Sequence, residues 1–157
     1  MNILKIELAI ANYFGIREHL IVPNVSWGLG IHEVDLLVIT NSGFAWEIEI
    51  KTSIADLKAD MKKTHNHFSD IIRRLYFAIP VDLKTKAIDF IPQRAGLLIV
   101  DNDGYVSSIK PIQENRTARK LTQVEIEHLG RLASMRIWTL KRKLYDRIKV
   151  NLIQTEK

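Results

Sequence analysis

The fold is decided by two neighbouring segments of the chain, IHEVDLLVI (residues 31–39) and FAWEIEIK (residues 44–51). Successive side chains of a β-strand point to opposite faces, and both segments are rich in the β-branched and aromatic residues that strands favour. The sequence between them, Asn-Ser-Gly at 41–43, is typical of a tight turn. We therefore expect the two segments to form a β-hairpin.

The acidic residues within this hairpin are its most unusual feature. Glu33 and Asp35 share one face of the first strand with apolar residues, and Glu47, Glu49 and Lys51 share one face of the second. Burying four carboxylates and an ammonium group is costly unless they pair with each other or bind a cation. The hairpin therefore predicts either a cation site or a buried network of ion pairs.

The remaining elements follow from apolar periodicity and from turn residues. Pro23 favours an edge strand or a bend, because proline cannot donate a hydrogen bond to a neighbouring strand. The order of elements predicts an α/β fold, with a mixed sheet flanked by helices on both faces. The predicted elements are a helix over 2–14, strands over 19–27, 31–39, 44–51 and 74–79, a helix beginning at Ser53, a hairpin over 96–109 and a long helix over 122–149.

The length of 157 residues predicts a single domain over 1–157, with a core of about 1–109 and a basic helical extension of about 120–150. The chain contains no cysteine, which excludes disulfides and thiolate metal sites. No apolar run approaches the ~20 residues that cross a membrane, and the N-terminus lacks the features of a signal peptide. We expect a cytoplasmic protein without a membrane partner.

The net charge of +5 is unevenly distributed along the chain. Residues 1–109 carry 11 basic and 13 acidic side chains, whereas residues 110–149 carry 11 basic and 4 acidic ones. An acidic front half and a basic rear half suit a cation site joined to a surface that binds a polyanion. The alternative reading is a basic helix that is simply solvated.

Asp35, followed after thirteen residues by Glu49-x-Lys51 at the end of the next strand, resembles the motif of the PD-(D/E)XK nuclease superfamily. The order of elements over roughly residues 1–80 also resembles the restriction-endonuclease-like core of that superfamily, αβββαβ. Val34 stands where the proline of the motif would be. Glu7 on the first helix, with the helix after Ser53, is most similar to the Holliday-junction-resolvase-like and phage or DNA-repair-associated branches.

The resemblance implies a metal-dependent DNA endonuclease that hydrolyses phosphodiester bonds in DNA repair, recombination or phage DNA processing. Asp35 and Glu49 would bind Mg²⁺ or Mn²⁺, for which carboxylate oxygens are suitable ligands, and Glu7 would be an auxiliary ligand. Lys51 would position or deprotonate the attacking water and offset developing charge. Glu47 becomes the ligand if the register slips by two residues, but only Glu49 stands two residues before a lysine.

An alternative function is a catalytically inactive module that binds nucleic acid or another partner, with Asp35, Glu49 and Lys51 as a buried ion-pair network. Ser53 is chiefly a helix cap. The polar stripe on its helix is most often a solvated face, and its alternative role is to contact the DNA backbone or to support the metal site; the stripe comprises Asp56, Asp60, Lys63 and His67. The residues for which we expect contacts with the DNA backbone are Ser53, Lys63, His67, Arg136, Lys141 and Arg142.

The long C-terminal helix carries an apolar stripe that must pack on the sheet or on a second copy of the chain. Two copies related by a two-fold axis would present two active sites to two DNA strands. We therefore expect a homodimer. The stripe comprises Ile126, Leu129, Ala133, Ile137, Leu140, Leu144 and Ile148.

Overall fold

The structure, a computed structural model, describes residues 1–26, 29–30, 32–60 and 69–155, with side chains up to residue 149. These residues form a mixed six-stranded sheet flanked by helices, with a long helix at the C-terminus, which confirms the predicted α/β fold. The elements are α1 (Ile3–Phe14), β1 (Leu20–Val25), β2 (Val34–Ile39), β3 (Ala45–Ile50), α2 (Ile54–Asp60), β4 (Ile72–Pro80), α3 (Lys84–Ala87), β5 (Gly96–Val100), β6 (Val106–Lys110) and α4 (Gln123–Thr155).

The strands lie in the sheet in the same order as in the chain, from β1 to β6. The pairs β1–β2, β2–β3 and β5–β6 are antiparallel, whereas β3–β4 and β4–β5 are parallel. A parallel connection needs a crossover, and α2 lies within the crossover from β3 to β4. The αβββαβ order that the sequence predicts is confirmed.

Local sequence signals account for several element boundaries. Pro23 lies in β1, which is an edge strand as predicted. Ser53 caps α2, because its hydroxyl oxygen accepts a hydrogen bond from the Asp56 N–H at 3.1 Å. At the start of α4 the Thr122 hydroxyl accepts a bond from the Glu125 N–H at 3.3 Å, and the Glu125 carboxylate accepts one from the Thr122 N–H at 2.7 Å. These reciprocal bonds stabilise the first turn of α4.

The turn between β2 and β3 closes the predicted hairpin. The Thr40 N–H donates to the Phe44 carbonyl at 2.9 Å, and the Gly43 N–H donates to the Thr40 carbonyl at 2.8 Å. Gly43 has a φ of +85°, a conformation that suits glycine because it has no Cβ. The turn sequence therefore sets the register that brings the two acid-bearing strands together.

Two faces of the sheet are covered by different helices. On one face α1 buries Ile6 and Ile10 against apolar residues of β2, β3, β4 and β5. On the other, α4 buries Leu129 and Leu132 against β1 and β2, and α2 buries Leu57 against β4 and β5. The acids of β3 point to this second face by strand alternation, so they lie where the sheet would otherwise be apolar.

The apolar stripe of α4 divides into two parts. Leu129 is 1% exposed, but Leu140 and Leu144 are 68% and 58% exposed. Most contacts of α4 with the sheet are made with β1, an edge strand. The first half of the helix therefore packs on the sheet, and the second half is exposed. None of the helices in the described ranges is long and apolar enough to cross a membrane.

Candidate functional site

Asp35 and Glu49 face each other across two antiparallel strands. The register of β2 and β3 pairs Leu36 with Ile48, and one step further along it places Asp35 opposite Glu49. The Oδ2 atom of Asp35 accepts a hydrogen bond from the Ile50 N–H at 2.7 Å. This bond holds the Asp35 carboxylate over the end of β3, so two of the predicted site residues are brought together by backbone pairing alone.

Lys51 is held between two buried carboxylates. Its Nζ lies 2.6 Å from Oε2 of Glu49 and 3.1 Å from Oδ1 of Asp60, and all three residues are at most 5% exposed. The Lys51 N–H donates to the Ala78 carbonyl at 3.0 Å, which fixes the backbone against β4. Burial acts to lower the pKa of Lys51, but the charges and hydrogen bonds of Glu49 and Asp60 outweigh it and raise that pKa above its ordinary value. Lys51 is therefore a cation at neutral pH.

Asp60 differs from its expected place on a solvated polar stripe. Asp60 is 5% exposed, whereas Asp56 on the same helix is exposed. The two acids are one helical turn apart on α2. Asp60 is the last residue of the helix, and its carboxylate contacts Lys51, the residue that follows β3. The prediction of a solvated face was wrong for Asp60, because the packing of α2 on the sheet decides which residues are buried.

Glu49 has a buried oxygen atom that could receive a further ligand. Its Oε2 accepts the Lys51 ammonium, but its Oε1 has no hydrogen-bond partner in the described part of the chain. Burial raises the pKa of Glu49 to about 7, with Asp35 and Glu47 contributing in the same direction and Lys51 opposing them. A buried carboxylate oxygen of this kind is stabilised by a cation or by a proton.

Glu7 joins the site from α1, on the other side of the sheet. It lies between the buried residues Ile6 and Ile10 in sequence and is itself partly buried. Burial raises the pKa of Glu7, and the negative charge of Asp35 raises it further. Glu7 and Asp35 are therefore close enough for their charges to interact.

His32 and Glu47 extend the acidic cluster along the same face. His32 Nε2 lies 2.7 Å from Oε1 of Glu47, which is fully buried. One ligand atom each from His32, Glu47 and Glu49 lie within 4.8 Å of one another. Arg94 is partly buried, and burial lowers its pKa while the charge of Glu47 opposes this shift.

The sequence pattern did not single out His32 or Arg94. His32 precedes the first residue of β2, so strand alternation says nothing about its direction. Arg94 lies just before β5, far from the hairpin in sequence. No local signal joins either residue to Glu47, and only the folded chain does so.

The donor atoms of this cluster fit a divalent cation. Carboxylate oxygens suit Mg²⁺, Ca²⁺ and Mn²⁺, whereas an imidazole nitrogen suits transition metals. The cluster of His32, Glu47 and Glu49 could therefore bind a metal ion, and the buried Oε1 of Glu49 supplies an acceptor for it. Asp35 and Glu7 add negative charge at the same end of the strands.

The residues predicted to contact DNA lie in different environments. Ser53 is exposed and serves as the cap of α2. Arg136 donates from Nη2 to the Asn24 carbonyl at 2.8 Å, which ties it to β1. Lys141 and Arg142 are exposed on the second half of α4. The two other predicted contacts, Lys63 and His67, lie outside the described residues.

The sequence of this chain matches a known protein family over most of its length. Residues 2–143 match the family described as "DNA repair protein MmcB-like". The chain belongs to the MmcB-like family. Membership in this DNA repair family implies a role related to DNA repair and an interaction with DNA.

A similar fold is found in a solved structure, the "SPO1766 protein of unknown function from Silicibacter pomeroyi". It has a TM-score of 0.61, is 22% identical in sequence, and the alignment covers 90% of each chain. At this identity the similarity concerns the fold alone. No curated protein matches this MmcB-like chain.

Proposed function

We propose that this protein is a divalent-metal-dependent DNA endonuclease of the PD-(D/E)XK type that acts in DNA repair. The observation that carries the proposal is the position of Asp35 opposite Glu49, with Lys51 in contact with Glu49, at one buried end of the sheet. The DNA repair family supports a nucleic-acid substrate. We further propose that 1–157 is one domain, with a core of about 1–109 and an extension of about 120–150.

The metal would be held by carboxylates of Asp35 and Glu49, with Glu7 as an auxiliary ligand, and His32 and Glu47 extend the donor set. When bound, Mg²⁺ or Mn²⁺ lowers the pKa of a water molecule and offsets charge on the scissile phosphate. The Ile50 N–H keeps Asp35 in place during this chemistry. Mn²⁺ suits the combination of oxygen and imidazole ligands better than Mg²⁺ does.

Lys51 would stabilise the negative charge that develops on the phosphate oxygens. Its raised pKa supports this role over that of a general base, because a base must be able to lose a proton before the reaction. Glu49 and Asp60 orient the ammonium group from two sides. Asp60 is therefore a positioning residue that acts through Lys51.

The second candidate function is a catalytically inactive module that binds DNA. The observation that favours it is the same contact of Lys51 with both Glu49 and Asp60, because a lysine with two carboxylate partners forms a stable network without a substrate. Activity and the response to substitution separate the two functions.

A cleavage assay tests the proposed activity directly. Supercoiled, linear and branched DNA are incubated with the protein and Mg²⁺ or Mn²⁺, with EDTA as the metal-free control. We expect cleavage by the wild type and its loss in Glu49→Ala, whereas Glu33→Ala, which changes an exposed acid, retains it. DNA binding with equal and negligible cleavage in all three proteins would show that the module is inactive.

Metal binding is expected to depend on Asp35. Because two facing carboxylates share the cation, Asp35→Asn should weaken Mn²⁺ binding at least about tenfold, as one charged ligand is lost. Isothermal titration calorimetry measures this in the presence of a DNA substrate analogue. Glu33→Gln removes the same charge from an exposed position and should leave the affinity unchanged. Equal affinities in both variants would count against the site.

We also propose that the protein is a homodimer formed through the second half of α4. Ile137, Trp138, Leu140, Leu144 and Tyr145 are between 55% and 68% exposed. With 100° of rotation per residue, these five side chains fall on one side of the helix. A helix with so large an exposed apolar face is stabilised mainly by packing, which a second copy could provide.

Dimer formation is expected to require this apolar face and to strengthen with salt. Leu144→Gln should convert dimer to monomer, because Leu144 lies at the centre of the face, whereas Met135→Gln changes an equally exposed residue on the opposite side. The segment 136–149 carries six basic and one acidic side chain, so added salt should screen repulsion between two copies. Light scattering at several protein concentrations measures the mass, and a monomeric wild type would refute the dimer.

A further inference from the structure

A polar cavity lies near the β2–β3 turn, towards the end of β3 that is opposite Glu49 and Lys51. Its volume is about 230 Å³, and it is lined by two hydroxyl side chains, two aromatic rings, two arginines and Glu114. The lining residues come from the β2–β3 turn, the first residues of β3 and β4, and the segment after β6. Trp46 of the cavity and Glu49 are three residues apart on β3, which corresponds to about 10 Å at about 3.3 Å per residue.

Two arginines of this cavity are stacked on its aromatic rings. The guanidinium carbon of Arg73 lies 4.1 Å from the ring centre of Phe44, and that of Arg74 lies 4.7 Å from the ring centre of Trp46. A stacked guanidinium has little freedom, so its N–H groups are oriented before any ligand arrives. The cavity is therefore preorganised for a planar or tetrahedral anion.

One carboxylate partly neutralises the two arginines. Oε2 of Glu114 accepts from Nε and Nη2 of Arg73 at 3.2 and 3.0 Å, and Oε1 accepts from Nε and Nη2 of Arg74, at 2.7 Å for the Nε bond. Nη1 of Arg73 takes no part in these bonds, whereas Arg74 also forms a hydrogen bond with the side chain of Tyr76. Lys120 adds a third cation, 5.4 Å from the ring centre of Phe44. Three cations and one carboxylate leave this end of the sheet positively charged.

The segment around Glu114, which follows β6, is held in place without the contacts of Glu114 with the two arginines. The neighbouring residues are already fixed by main-chain bonds, from the Asn115 N–H to the Arg73 carbonyl and from the Gln113 N–H to the Arg94 carbonyl, both at 2.9 Å. The Thr40 hydroxyl donates to the Phe44 carbonyl at 3.2 Å and accepts from the Phe44 N–H at 3.1 Å. The Ser42 hydroxyl, 3.0 Å from that of Thr40, is therefore the one that can turn its proton towards a ligand.

We propose that this cavity binds the phosphate group of a nucleotide, with the base stacked on the outer face of a guanidinium group, because the rings of Phe44 and Trp46 are already covered by the two arginines. Arginine forks match phosphate geometry, and bases stack on aromatic and arginine planes in many nucleic-acid sites. The volume is below the ~300–1,000 Å³ of pockets that enclose a drug-sized ligand, so it suits one phosphate and part of its nucleotide. The source is a strand terminus of DNA or a free nucleotide.

Binding is tested without metal, in EDTA, so that the result does not depend on cleavage. The probes are inorganic phosphate, deoxyadenosine monophosphate, and one short oligonucleotide with and without a 5′-phosphate. The readout is the indole ¹H–¹⁵N resonance of Trp46, assigned with Trp46→Phe, and the affinity from calorimetry. We expect this resonance to move with the phosphorylated probes while that of Trp138, on α4, does not. No movement at millimolar concentrations of every probe would overturn the proposal.

Three variants distinguish a binding site from a structural tether. Arg74→Gln should weaken binding about tenfold, because one charge-assisted pair is lost. Glu114→Gln should tighten it by a similar factor, because a competing carboxylate is removed. Arg131→Gln changes an exposed arginine of α4 and should have no effect. Unchanged affinity in Arg74→Gln, or weaker binding in a folded Glu114→Gln, would overturn the proposal.

A comparison of the probes identifies the source of the phosphate, and a second arginine variant serves if the first one does not fold. A clear preference for the 5′-phosphorylated oligonucleotide over deoxyadenosine monophosphate indicates a DNA strand terminus, and equal affinities indicate a free nucleotide. If Arg74→Gln loses its native circular dichroism spectrum, Arg73→Gln provides the same test from the other arginine, and an unchanged affinity there refutes the site.

Discussion

Replacing Lys51 by alanine is expected to lower the rate of metal-dependent DNA cleavage at least about a hundredfold. The ammonium group is buried, protonated and oriented by Glu49 and Asp60, so it can act on developing negative charge without rearrangement. Its removal also leaves two carboxylates close together without their shared cation. The loss should appear in kcat more than in the affinity for DNA, because charge develops only in the transition state.

Loss of folding must be separated from loss of chemistry in this variant. Breaking a buried ion pair by removing one partner costs about 3–5 kcal/mol, so the thermal unfolding midpoint is recorded for the same samples. Lys84→Ala is the matched control, because Lys84 is exposed on α3. Single-turnover cleavage is measured well below the unfolding midpoint. A folded Lys51→Ala protein that cleaves at the wild-type rate would remove Lys51 from the mechanism.

Replacing Glu49 by glutamine is expected to make the stability of the metal-free protein less dependent on pH than that of the wild type between pH 5 and pH 8. The pKa of Glu49 is about 7 in the folded protein and close to 4.5 when the chain is unfolded. For a group with a raised folded pKa, the unfolded state loses its proton first, so the wild type loses stability as the pH rises between these values. Glutamine does not titrate, so the variant escapes this loss, which is at most about 3 kcal/mol.

The stability difference between the two proteins should therefore depend on pH. Urea unfolding in EDTA gives the free energy of unfolding at pH 5 and pH 8. We expect the variant to gain stability relative to the wild type between these two pH values, although it loses the contact with the Lys51 ammonium. Glu33→Gln removes an exposed acid and should show no such change. A pH-independent difference for Glu49→Gln would contradict the burial argument.

Much of the scaffold could be predicted from local sequence. The alternating pattern of residues 31–51 and the turn that ends at Gly43 determined the central hairpin, and Pro23 marked β1 as an edge strand. The spacing of Asp35 and Glu49 placed them opposite each other once the two strands paired. These features depend on neighbours in sequence, on strand alternation and on turn geometry, which is why the sequence alone determined them.

The surroundings of the site were decided by tertiary structure. The sequence pattern predicted a solvated Asp60, but the packing of α2 on the sheet buries it. His32 and Arg94 are distant from Glu47 in sequence and come close to it only in the folded chain. Periodicity predicted an uninterrupted apolar stripe on α4, but the edge of the sheet divides it into a packed half and an exposed half.

The pKa of Glu49 also depends on the tertiary structure. Its largest cause is burial, which depends on the layers that cover β3 and not on the residues next to Glu49 in the chain. The sequence by itself determined which carboxylates and which lysine share the end of the hairpin. Only the tertiary structure decided how deeply they are buried, which groups pair with them and which oxygen atom is left to receive a cation, because these properties arise from segments that are distant in sequence and close in space.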